Sequence, residues 1–122
     1  MGSRSRRRAR RGEQAPATPA TTTDYRDDEG NVLTLRDALS EGTLRKLSDL
    51  DAKPAASAEV RWQQRVEFLF ERLAVRWEIA GLPLEGQKEL LGRYRMASSG
   101  ERQRVRKALA EHLSERHPEI DL

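Results

Sequence analysis

The stretch SAEVRWQQRVEFLFERLAVRWEIAGLP, residues 57–83, decides how this chain is read. Trp62, Val66, Leu69, Phe70, Leu73, Trp77 and Ala80 recur at helical intervals. At about 100° per residue they fill an arc of roughly 100°, the width of a stripe that faces a core. Ser57 suits an N-cap, Gly81 suits the position just past a C-terminus, and Pro83 cannot continue a helix. The spacing predicts one long central helix between Ser57 and Gly81. Both tryptophans and both phenylalanines of the chain lie within it, so it is expected to organise the core.

Upstream, Val32-Leu33-Thr34-Leu35 alternates with branched side chains, and β-forming residues run from Thr21 to Arg26. Asp27-Asp28-Glu29-Gly30-Asn31 between them has turn chemistry, which predicts a β-hairpin. A lone hairpin is marginal in water and needs a helix to pack on. Leu44, Leu47 and Leu50 predict a short helix that Thr43 could cap, and residues 51–57 read as a loop. Downstream, Leu90, Leu91 and Tyr94 predict a helix from Leu84 to Ala97. Ser98-Ser99-Gly100-Glu101 has the form of a capping box and opens a last helix, about residues 99–116, that buries Val105, Ala108, Leu109 and Leu113 before Pro118. No internal repeat is visible. The expected fold is mainly α: a small helical domain of three to four helices with a short N-terminal β-hairpin, preceded by a disordered basic tail.

Charge divides the 122-residue chain near residue 23. Residues 1–23 carry six arginines (Arg4, Arg6, Arg7, Arg8, Arg10, Arg11) against the single acid Glu13, whereas the remainder carries 17 basic and 19 acidic residues. The pI of about 9.7 is therefore set by the arm. Residues 12–23, rich in Ala, Thr and Pro, have nothing to bury, so residues 1–23 are expected to be disordered alone and residues 24–122 to form a single domain. Such an arm can neutralise phosphates and gain affinity by counterion release. It has no aromatic residue to stack on bases, so a sequence preference is not implied. The alternative reading of the arm is a solubilising tail.

Three further constellations stand out. Arg61, Arg65, Arg72 and Arg76 would share one side of the central helix, beside a second apolar stripe of Phe68, Val75 and Ile79. This is a candidate partner surface. The alternative is internal pairing of the arginines with the acids of residues 24–51. Arg93, Arg95, Arg102, Arg104, Arg106 and Lys107 form a candidate secondary basic surface for nucleic acid, although they surround their helix and do not share one reading face. His112 and His117 have no metal-ligand spacing, and no phosphate loop or nucleophile elbow occurs. No catalytic residue, metal site or cofactor is expected. With no cysteine, there is no disulfide or thiolate chemistry. No apolar run reaches the roughly 18 residues of a membrane helix, and no apolar stretch follows the arginines as in a secretory signal, so a cytoplasmic protein is expected. Arginine outnumbers lysine 19 to 4, as GC-rich coding gives, which suggests an actinobacterial source or one of its phages.

The order of a charged turn, Val32-Leu33-Thr34-Leu35-Arg36, Leu-rich helical segments and an aliphatic-aromatic segment ending Val75-Arg76-Trp77-Glu78-Ile79-Ala80-Gly81-Leu82-Pro83-Leu84 resembles the small tail-assembly chaperones of long-tailed phages and prophages. The resemblance covers about residues 24–110. It implies a helical, non-enzymatic protein that binds a tape-measure protein or tail-tube subunits, and it carries over no specific residue. Two functions of different class are thus expected: a non-enzymatic module whose arm binds a polyanion such as nucleic acid, or a protein-assembly adaptor acting through the helical body.

Overall fold

A computed structural model describes residues 21–120 and residue 122. The candidate polyanion-binding residues Arg4, Arg6, Arg7, Arg8, Arg10 and Arg11 lie outside these residues. The described chain runs β1 (Thr22–Arg26), β2 (Val32–Arg36), α1 (Glu41–Ala52), α2 (Ala58–Leu73), β3 (Ala74–Ile79), β4 (Leu82–Glu85), α3 (Gln87–Arg95) and α4 (Ser99–Arg116). The strands form one antiparallel sheet in the order β1-β2-β3-β4. This is an α+β fold, which corrects the expectation of a mainly α domain with only a short hairpin. The order strand–strand–helix–helix occurs twice, with no echo in the sequence.

The correction centres on residues 74–85. The central helix stops at Leu73, and Ala74 turns directly into extended backbone, so Val75, Arg76, Trp77 and Ile79 belong to β3. Ala80 (φ 53°) and Gly81 (φ 79°) then make a two-residue hairpin turn, and two successive positive φ values are what a type I′ turn requires. Asn31, itself buried, accepts the Ala80 N–H on its Oδ1 at 3.0 Å and ties this turn to the start of β2. Pro83 lies in the edge strand β4, where a missing N–H is tolerated. The predicted helix from Leu84 is α3, shortened to Gln87–Arg95.

Register explains which face is buried. Tyr25, Leu33, Trp77 and Leu84 are successive cross-strand partners, and this row faces the helices. Asp24, Thr34, Arg76 and Glu85 form the next row, on the opposite, polar face. There Thr34 Oγ1 donates to Asp24 at 2.6 Å, and Arg76 reaches Glu78 at 3.2 Å and Glu85 at 3.7 Å. A bulge lets Leu35 pair with Ala74 while Thr34 pairs with Arg76, leaving Val75 as the extra residue. Ala74 and Trp77 can therefore both point inward although three residues apart.

The core is one cluster built from every layer: Leu33 and Leu35 of β2, Leu47 of α1, Val66, Leu69, Phe70 and Leu73 of α2, Trp77, Leu90 and Tyr94, and Val105, Leu109 and Leu113 of α4. Phe70 is its pivot, edge-on to Trp77 at 5.9 Å and stacked on Tyr94 at 5.0 Å between ring centroids. Caps mark the helix starts. Ser57 and Ser98 accept from the third residue onward, and the Ser98–Glu101 capping box is complete. In α1 the cap is Ser40, and Thr43 is buried inside the helix.

Candidate functional site

The β1–β2 turn is built by Asp27. Its Oδ1 accepts the N–H groups of Glu29 (2.8 Å) and Asn31 (3.0 Å), and Gly30 takes the positive φ of 81° that the reversal needs. With Asp27 turned into the loop, the Asp28 and Glu29 side chains point out, 81% and 60% exposed. Arg104 of α4 reaches across to both, with Nε to Asp28 at 2.9 Å and Nη2 to Glu29 at 3.1 Å. Behind this bridge lies a half-open groove of about 510 Å³. Tyr25, Leu33, Trp77 and Val105 supply apolar lining; Arg26, Asp27 and Asp28 stand on the strand side, and Lys107 and Glu111 on the helix side. Its size falls in the range of small-molecule sites.

The far end of α4 is clasped to the end of β2. His112 is fully buried. Its Nε2 donates to the Arg36 carbonyl at 2.6 Å, which fixes the neutral tautomer, and Nδ1 accepts from the Tyr25 hydroxyl at 2.9 Å. Burial holds the imidazole below its ordinary pKa and pushes the Tyr25 phenol up. Beside it, Asp37 accepts from Thr23 Oγ1 at 2.6 Å and from Arg116 Nε at 2.8 Å. The hydrogen bond from Thr23, followed by the field of Arg116, keeps its carboxyl below the usual carboxylate range. His117 donates from Nε2 to the Asp37 carbonyl at 2.9 Å. Every ring nitrogen of His112 is thus engaged in holding elements together. The clasp has one signal in the sequence, a histidine flanked by Leu109 and Leu113 on the buried side of a helix.

The predicted arginine face of the central helix is divided among three places. Arg61 donates to the backbone carbonyls of Asp51 and Lys53, and Arg65 pairs with the Asp51 carboxylate, so both meet the C-terminal end of α1. Arg72 lies over the Phe68 ring at 5.1 Å. Arg76 sits on the polar face of the sheet. Phe68, Val75 and Ile79 do not form one stripe either, since Phe68 is on α2 and the other two are on β3; all three are half-buried. Internal pairing with the acids of residues 24–51 therefore accounts for Arg65; Arg61 ends on backbone carbonyls, and Arg72 and Arg76 meet a ring and the β-sheet carboxylates Glu78 and Glu85.

Three of the six residues of the candidate secondary basic surface are neutralised by carboxylates. Arg93 binds Glu101 at 2.8 Å and lies over Trp77, Arg95 binds Glu67 at 2.8 Å, and Arg104 bridges Asp28 and Glu29. The hydrogen bond from Arg93, with that from the Ser98 N–H, holds Glu101 below its usual pKa. Arg106 covers the Trp62 ring at 5.0 Å. Arg102 and Lys107 have no ion pair among the described residues. No group of three or more His, Asp or Glu residues among the described ones could hold a metal, and no helix is long and apolar enough to cross a membrane. Comparison with family models, with curated proteins and with solved structures found no match.

Proposed function

We propose that the chain is a non-enzymatic binding module of the cytoplasm whose Arg4, Arg6, Arg7, Arg8, Arg10 and Arg11 engage a polyanion, most simply nucleic acid, without sequence preference. The observation that supports this reading is the contrast in charge between body and arm. In the body, arginines from α2, α3 and α4 end on carboxylates, helix carbonyls or aromatic rings. In residues 1–23, six arginines face one acid. Net positive charge is confined to the arm, since the remainder of the chain carries 17 bases against 19 acids, and each phosphate contact made there releases counterions. The test compares the full chain with a variant in which the six arginines are replaced by glutamine. Binding to duplex DNA that persists unchanged in the variant would refute the reading.

The exposed side of the second hairpin favours a second reading, an assembly adaptor of phage or prophage origin similar in role to tail-assembly chaperones. Leu82 is 74% exposed at the edge of the sheet, opposite half-buried Ile79. This reading expects a protein partner, such as a tape-measure or tail-tube subunit, that stays bound at moderate salt and is lost on Leu82→Ser. Retention by the Leu82→Ser variant would remove it.

A further inference from the structure

We propose that the groove between the β1–β2 turn and α4 is the docking site of the chain's own arginine arm, residues 4–11. The inference deepens the polyanion reading, because it makes the same arginines subject to internal competition.

Charge complementarity is the first argument. Asp27, Asp28 and Glu29 place three carboxylates in three consecutive positions. Asp28 and Glu29 share the single guanidinium of Arg104. A carboxylate has room for more than one donor, so both can accept further guanidinium groups from solvent. Glu111, exposed on the helix side of the groove, has no ion pair among the described residues. Arg26, Arg104 and Lys107 oppose the four carboxylates of Asp27, Asp28, Glu29 and Glu111 and leave one negative charge in excess.

Reach and shape agree. The body begins at β1, and the turn lies four residues farther along that strand, roughly 13 Å away at the rise of a β-strand. Arg11 is ten residues before Thr21, a contour of about 33 Å at full extension, which is ample. Half-buried Tyr25 offers apolar surface to the methylene stems of arginine, whose guanidinium heads would sit at the acidic rim. Because arm and groove belong to one chain, docking is favoured by an effective concentration in the millimolar range. A polyanion must then displace the arm from the groove before binding it.

Docking is measured on the protein alone, so its outcome is independent of whether nucleic acid is the true ligand. The chain has no cysteine, so Ser5→Cys gives a single site for a spin label. Paramagnetic broadening is expected at the amides of residues 27–31 and 103–111. It should disappear at about 0.5 M salt, where the screening length is only about 4 Å, and in D28N/E29Q/E111Q. Uniform broadening, or broadening centred on the α1 acids Glu41 and Asp49, would overturn the proposal. A second measurement uses affinity for a short DNA duplex. D28N/E29Q/E111Q should bind about fivefold tighter, the factor for an arm docked about four-fifths of the time. E41Q/D49N/E89Q, which removes the same charge elsewhere, should gain less. Equal gains would count against the groove.

Discussion

The Tyr25 hydroxyl donates to His112 Nδ1 at 2.9 Å and joins edge strand β1 to the buried side of α4 across 87 positions of chain. The two rings also meet edge-on at 5.6 Å. One contact therefore closes the first hairpin against the last helix.

Tyr25→Phe keeps the ring and removes the donor. His112 Nδ1 is then left without its partner in a fully buried residue, at a cost of about 1–3 kcal/mol. Urea denaturation should show a lower midpoint with the slope unchanged. An unchanged midpoint would mean that water replaces the hydroxyl at no cost.

Acid should weaken the same clasp. The folded pKa of His112 is held down by burial, so the unfolded chain binds the proton more readily. This contribution is complete above the unfolded value of about 6.5 and is lost as pH falls through the folded value. The Asp37 carboxyl is also depressed, but its contribution persists until pH falls below the ordinary carboxylate value near 4, so the two windows separate. The unfolding midpoint of the native chain should fall between about pH 7 and pH 5, and His112→Gln should flatten that slope. A slope unaltered by His112→Gln would assign it to other groups.

Ala80 holds a φ of 53°, in the left-handed region. Asn followed by Gly is the preferred pair for such a turn. Ala80→Asn keeps the N–H that Asn31 receives and should stabilise the fold by about 0.5–1 kcal/mol, seen as a raised thermal midpoint. A lowered midpoint would mean that the larger side chain meets an obstacle outside the turn.

Phe70→Ala should be far more damaging than Phe68→Ala. Phe70 is fully buried between Trp77 and Tyr94, and its truncation costs about 3–5 kcal/mol. Phe68 is half-buried under Arg72 and should cost about 1–2 kcal/mol. Chemical denaturation of both variants checks the order.

DNA affinity should fall steeply with salt. At about −0.9 per phosphate contact, the log–log slope should lie between about −3 and −5 for the intact arm and approach zero with the six arginines changed to glutamine. A slope retained by that variant would move the site to Arg102 and Lys107.

Local chemistry with one solution was readable in advance. The acidic, glycine-containing turn at residues 27–31 and the Ser98–Glu101 capping box each announced a specific element. Residues 74–81 admit two solutions. A helix brings residues three apart onto one face, and so does a strand with a bulge between them; the extra Val75 puts Ala74 and Trp77 on the same side. Gly81 at positive φ fits a helix end as well as a hairpin turn. The tertiary partner, β2, decides the choice, and local pattern cannot report it. The groove escaped for a related reason: the Asp28–Arg104 bridge joins residues 76 positions apart.

Pro83 gives the sheet a polarity of its own. In a two-residue hairpin Ile79 and Leu82 form the hydrogen-bonded pair, so the next pair, Glu78 and Pro83, turns its backbone groups outward. The β4 margin thus presents a proline ring where a further strand would need an N–H. Sheet growth from one molecule to another is blocked on that side, and among the described residues the margin open to extension is β1.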